Sequence, residues 1–146
     1  MFELLSYDDI QVGDRVSLRK TITEADQAMY SAAIGGFGPV HNDDGYASQT
    51  RFGERIASGI MIAGMCTSIL TSHLVGVAPV SIEDRFRFVG AVRFGDTLTV
   101  EVWVEAKDPA RRTLDWRASV RNQDGVEVVQ ANATMKYPRA LMPASA

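Results

Sequence analysis

This chain of 146 residues carries two histidines, His41 and His73, and His41 has the better surroundings for chemistry. The run Gly35-Gly36-Phe37-Gly38-Pro39-Val40-His41-Asn42-Asp43 sets an imidazole on a segment that holds three glycines and a proline ahead of it, which predicts a loop. An imidazole takes and returns a proton near neutral pH, and loops held by rigid elements are where catalytic groups concentrate. A histidine that only hydrogen-bonds its own loop remains the other reading of these residues. His73 falls near the end of a helical stretch and reads as a partner for the negative end of the helix dipole. Two distant histidines and one cysteine, Cys66, assemble no recognised metal-ligand spacing. The glycine patterns that cradle nucleotide phosphates and the nucleophile elbow are absent. No metal and no cofactor is expected.

The elements that must position His41 can be read from periodicity. Val16, Leu18 and Ile22 share a face, so Arg15 to Ile22 reads as a strand. Thr23 can cap a helix whose first turn holds Glu24 and Asp26, and Gly35-Gly36 should stop it after Ile34. Asp43-Asp44 begins a second short helix through Tyr46 and Ala47. Ile56, Ile60, Ala63, Thr67, Leu70 and Leu74 recur at helical spacing, with Met61, Met65 and Ile69 in a second row. A helix apolar on more than one face is expected to be surrounded by protein.

After Pro79 the pattern turns to strand alternation. Leu98, Val100, Val102 and Val104 form one row, Leu114, Trp116, Ala118 and Val120 the next. Val129, Ala131, Ala133, Met135 and Tyr137 form a third. Turn chemistry at Lys107-Asp108-Pro109-Ala110 and Asn122-Gln123-Asp124-Gly125 joins them into an antiparallel meander. The fold class is therefore α+β, one sheet curled around one long helix. Residues 1–138 are expected to form the domain and 139–146 a flexible tail.

Composition narrows the partners. Hydrophobic residues make up 46% and charged residues 23%, with a net charge of -3, which is ordinary for a globular domain. The only short basic runs are Arg19-Lys20 and Arg111-Arg112, expected on solvated strand ends or turns, so nucleic-acid binding is not expected. The start, Met1-Phe2-Glu3-Leu4-Leu5, lacks the basic residues of a signal peptide. The stretch free of formal charge between Ile56 and Ile82 holds too many Ser, Thr and Gly residues for a membrane span. A cytoplasmic protein is expected, in keeping with the single cysteine.

The run Tyr30 to Asp43 resembles the hydratase motif of MaoC-like and (R)-specific enoyl-CoA hydratases: aromatic, several small residues, Gly, Asp, any, Asn, Pro, aliphatic, His, any, Asp. Tyr7 to Asp14 is similar to the family's opening segment, and Thr23-Glu24-Ala25-Asp26 to its first helix start. Ile56-Ala57-Ser58-Gly59-Ile60-Met61 is similar to the start of its central helix, and Phe88 to Leu98 to its strand-turn-strand. The resemblance covers nearly the whole chain in order. It implies a hotdog fold, a sheet wrapped around a central helix, usually dimeric or of higher order.

The resemblance also implies chemistry. Family members use an Asp and a His to add water to an enoyl thioester of coenzyme A or an acyl carrier, or to remove it from a 3-hydroxyacyl thioester. The His falls on His41 as general acid/base. The Asp falls on Gly36 and the Asn on Gly38, so the carboxylate is missing. Asp43, Asp44 and Asp26 are the candidate substitutes, with a capping role the alternative for Asp43. The N–H of Gly59 would bind the thioester carbonyl, although Gly59 could equally serve close packing. Phe37, Ser58, Gly59, Ile60 and Met61 would contact substrate, with Phe52 a further candidate. Altered thioester chemistry, isomerisation or cyclisation with His41 alone, is the alternative, as is a degenerate acyl-binding subunit. A hotdog thioesterase would need a carboxylate near the central helix, and Glu54 is the nearest.

Overall fold

A computed structural model describes residues 5–76 and 78–139. Five strands form one antiparallel sheet in the order β1-β3-β4-β5-β2, comprising β1 (Arg15–Thr21), β2 (Val80–Phe88), β3 (Thr97–Asp108), β4 (Thr113–Arg121) and β5 (Glu127–Lys136). Among the described residues four α-helices and a 3-10 turn at Tyr7–Asp9 accompany it: α1 (Glu24–Ile34), α2 (Pro39–Asn42), α3 (Asp44–Ala47) and α4 (Gly59–His73). The three predicted apolar rows all turn to one side. Leu98, Val100, Val102, Val104, Leu114, Trp116 and Val120 are almost wholly buried there. The buried face of α4 is formed by Ile62, Ala63, Cys66, Ile69 and Leu70, and all of these but Ala63 pack into the same core. Each fully buried aliphatic side chain in it stabilises the fold by about 1.5–3 kcal/mol. This is the expected α+β sheet around one helix.

The helix start at Thr23 forms as expected. Thr23 Oγ1 accepts the Asp26 N–H at 3.2 Å, and Asp26 Oδ2 accepts the Thr23 N–H at 2.8 Å. Partial burial pushes the Asp26 carboxyl up, but the Thr23 bonds and the Lys20 ammonium outweigh it and hold it below the usual range. A depressed carboxylate pKa contributes stability above its unfolded value and loses it as pH falls through the folded one. Asp26→Asn should therefore cost about 1 kcal/mol at neutral pH, and the loss should vanish under strongly acidic conditions. Chemical denaturation at several pH values checks this.

Three expectations change and one unpredicted strand is added. The run predicted as a loop from Gly35 to Asn42 contains α2, because Pro39 at its first position presets the helical φ and Gly38 precedes it as N-cap. The central helix begins at Gly59, not Ile56; Ile56 instead bridges Arg93 and Ser58 is the N-cap. Strand β2, whose mixed charges Glu83, Asp84, Arg85 and Arg87 hide any alternation, pairs along the sheet edge with β5. Finally, α4 is not enclosed within one chain: Ile60 is 57% exposed, and Gly64 and Ser68 are exposed on the same side. The start read as unlike a signal peptide is described only from Leu5, and the expected tail beyond Arg139 lies outside the described residues. Among the described residues no helix is long and apolar enough to cross a membrane.

Candidate active site

His41 is the third residue of α2 and is held from its far side. Its Nδ1 lies 2.8 Å from the Ile56 carbonyl oxygen. A carbonyl only accepts, so in the neutral ring Nδ1 carries the proton and Nε2 keeps a lone pair. The Ile56 N–H returns a bond to the Val40 carbonyl at 3.3 Å, and the Ala57 N–H binds the Val92 carbonyl at 2.8 Å. The His41 turn, the approach to α4 and the segment after β2 are thus tied together before any substrate arrives.

A cleft of about 480 Å³ opens beside these ties. His41, Ser58, Gly59 and Ile60 line it, joined by Arg51, Phe52, Ile56 and Ala57. Its other wall is Phe88, Val89, Gly90, Ala91 and Val92. Of these side chains only His41, Arg51 and Ser58 are polar, and no carboxylate is among them. Arg51 lies over the Phe52 ring at 4.8 Å, and among the described residues it makes no ion pair.

Gly59 is the first residue of the 15-residue α4, where backbone N–H groups lack helical acceptors and the dipole favours negative charge. A side chain there would also collide: a Cβ would sit 2.7 Å from Phe88 Cδ1. Close packing at Gly59 is therefore present, and the close approach of Phe88 forms the cleft wall beside the N–H.

The sequence-derived candidates divide accordingly. His41, Ser58, Gly59, Ile60 and Phe52 come together. Phe37 is 64% exposed and does not line the cleft, nor does Met61, which packs against the core. None of the three candidate acids lines it either. Asp43 caps α3 by accepting the Tyr46 N–H at 2.9 Å, and Asp44 pairs with Arg55, which also holds Glu24. Asp26 is engaged at Thr23 and Lys20. Glu54 pairs with Arg93 at 2.9 Å. Burial pushes the Cys66 thiol up to about 12 and leaves it no nucleophile.

At Gly36, φ lies outside the left-handed region and an added Cβ would meet only the end of the Ile34 side chain, at 3.1 Å. At Gly38 an added Cβ would lie 3.5 Å from His41 Cδ2, an ordinary contact. The loop backbone tolerates side chains at both positions.

Sequence reasoning missed Arg51, the Phe88–Val92 wall and a buried polar chain. Gln27 and Ser31 are almost fully buried. Gln27 Oε1 accepts the Ser58 N–H at 2.8 Å and its Nε2 donates to Ser31 Oγ at 2.9 Å. Ser31 Oγ lies 3.4 Å from Asn42 Oδ1, and Asn42 Nδ2 donates to the Gly38 carbonyl at 3.0 Å. The chain links α1 to both sides of the site, and nothing in the helical pattern of α1 marks Gln27 as inward-facing.

Residues 10–126 match the family described as MaoC like domain. The chain is 31% identical over 132 residues to an (R)-specific enoyl-CoA hydratase of Rhodospirillum rubrum, covering 90% of this chain and 91% of that protein. It is 32% identical over 136 residues to a 3-hydroxybutyryl-CoA dehydratase of Methylorubrum extorquens, covering 93% and 86%. Among solved structures, the unliganded R-hydratase PhaJ1 of Pseudomonas aeruginosa superposes with a TM-score of 0.82 at 30% identity, over 96% of this chain and 95% of that one. The sheet and central helix are those of the hotdog fold, and this chain belongs to the MaoC-like dehydratase family.

Proposed function

We propose that the chain adds water to 2-enoyl thioesters of coenzyme A or an acyl carrier, or removes it from 3-hydroxyacyl thioesters, with His41 as the acid/base. The observation that carries this reading is the His41–Ile56 hydrogen bond, which leaves Nε2 as a base in the cleft that also contains Gly59. The thioester oxygen would accept the Gly59 N–H, where the helix terminus stabilises the developing enolate without rearrangement. His41 Nε2 would take a proton from water as its oxygen bonds to C3. The imidazolium would then return a proton to C2, so that H and OH add across the double bond. The Ser58 hydroxyl would orient the water in place of the missing carboxylate.

A second reading is favoured by one observation: among the described residues no carboxylate lines the cleft. Proton shuttling by His41 alone would suit isomerisation or cyclisation of a thioester-derived substrate. A single experiment separates the two. Incubation with a short trans-2-enoyl-CoA in water enriched in oxygen-18 should place one heavy oxygen on the product. A product of unchanged mass would overturn the hydratase in favour of the second reading.

The assembly that fits is a homodimer or higher homo-oligomer. Val80, Ile82 and Phe88 are exposed on β2, which has no partner on its outer edge among the described residues, and Ile60 is exposed on α4. A second copy would cover apolar surface that a lone chain leaves in water. We place the protein in the cytoplasm, supported by its one cysteine being buried and unpaired.

A further inference from the structure

The β3–β4 hairpin carries a feature that the proposed reaction leaves unused. A second cleft of about 500 Å³ lies at the end of the sheet away from His41, and four cations line it: Arg111, Arg112, Lys136 and Arg139. The whole chain is net negative, so this is a local inversion of charge. Among the described residues the one carboxylate paired with any of them is Asp108, 3.7 Å from Arg111 Nε.

Arg112 is the only non-glycine described with positive φ, at 54°. Glycine adopts that conformation without cost and an arginine does not. Its Nε is buried without a hydrogen-bond partner, which a well-satisfied structural arginine would not show. A strained backbone, an orphaned donor and a positive charge with no carboxylate partner among the described residues coincide on one side chain, whose guanidinium lies 5.1 Å from the Tyr7 ring centroid.

We propose that this cleft is a binding site for clustered phosphate groups on a small organic ligand. Guanidinium groups bind phosphate oxygens through paired, charge-assisted hydrogen bonds, and a ligand would satisfy the orphaned donor. Resting on the proposed function, the ligand is the nucleotide end of the coenzyme A thioester. The two clefts sit at opposite ends of β2, which spans about 26 Å at 3.3 Å per residue. Antiparallel pairing of β2 with the same strand of a second copy would set Val80 of one opposite Phe88 of the other. The basic cleft of one copy would then stand beside the His41 cleft of its partner.

Calorimetric titration with adenosine 3′,5′-bisphosphate tests the site without requiring turnover. Binding to the unaltered protein should weaken about tenfold in Arg112→Gly, and similarly in the exposed pair Arg111→Ala/Arg139→Ala. It should also weaken with added salt. Arg112→Gly suits the positive φ, so loss of binding in a folded protein could not be ascribed to hairpin strain. The KM for an enoyl-CoA should rise about tenfold in the same variant, while that for the same acyl group on N-acetylcysteamine, which has no phosphate, stays unchanged. Bisphosphate binding lost with KM intact would keep the site and assign it to a separate phosphorylated ligand. Bisphosphate binding lost in a protein inactive on every thioester would keep the site and remove the hydratase reading. No binding by the unaltered protein at low salt, or equal binding by the variants, would overturn the proposal.

Discussion

Gly36→Asp is expected to raise the rate of enoyl-thioester hydration by about a hundredfold, the lower end of what one positioned acid/base contributes. Space is available: the new Cβ would press only on the end of the Ile34 side chain, at 3.1 Å. The backbone does not oppose it, since φ at Gly36 is outside the left-handed region. Among the described residues the cleft lacks a carboxylate, because Asp43, Asp44 and Asp26 are engaged in a cap and in ion pairs away from it. Steady-state hydration of a short enoyl-CoA by the variant and the unaltered protein checks the gain. A folded variant that binds the thioester no faster in turnover than its parent would mean that His41 and Ser58 already supply what the carboxylate would, or that water addition is not the reaction.

His41→Ala is expected to lower kcat for hydration by about a hundred- to ten-thousand-fold, with KM changed far less. The split follows from the geometry. On the proposed function, the Gly59 N–H and the apolar wall from Phe88 to Val92 would hold the substrate in both proteins, whereas among the cleft's side chains only His41 would offer a basic nitrogen to the water. The substitution also leaves the Ile56 carbonyl without its partner at 2.8 Å. Circular dichroism and the enoyl-CoA dissociation constant must therefore accompany the kinetics. A merely structural histidine would lose binding and stability together with rate.

The candidate site was legible in the sequence where chemistry depends on rare residue types. His41 stood out as one of two histidines, and Gly36 and Gly38 as departures from a motif otherwise in order. The sheet was legible because Leu98 to Val104 and Leu114 to Val120 alternate, and one buried face writes that period into the chain. Strand β2 was not, because it lies on the edge with almost all of its residues exposed, so no buried face imposed a pattern on it. Phe37 was misplaced for a related reason. A glycine-rich segment does not reveal which way an aromatic points, and this one faces solvent. Gln27 was invisible because its burial depends on bonds to Ser58 and Ser31 that fold together from different parts of the chain. Arg112 drew notice only as half of a basic pair; its positive φ belongs to the turn's geometry.

The most direct measurement is the conversion of trans-2-enoyl-CoA by the unaltered chain, followed by chiral analysis of the product. The account predicts saturable formation of a single enantiomer of the 3-hydroxyacyl thioester, lost in His41→Ala while the thioester still binds. Tight binding of the enoyl-CoA with no hydrated product, or hydration that persists undiminished without His41, would contradict it.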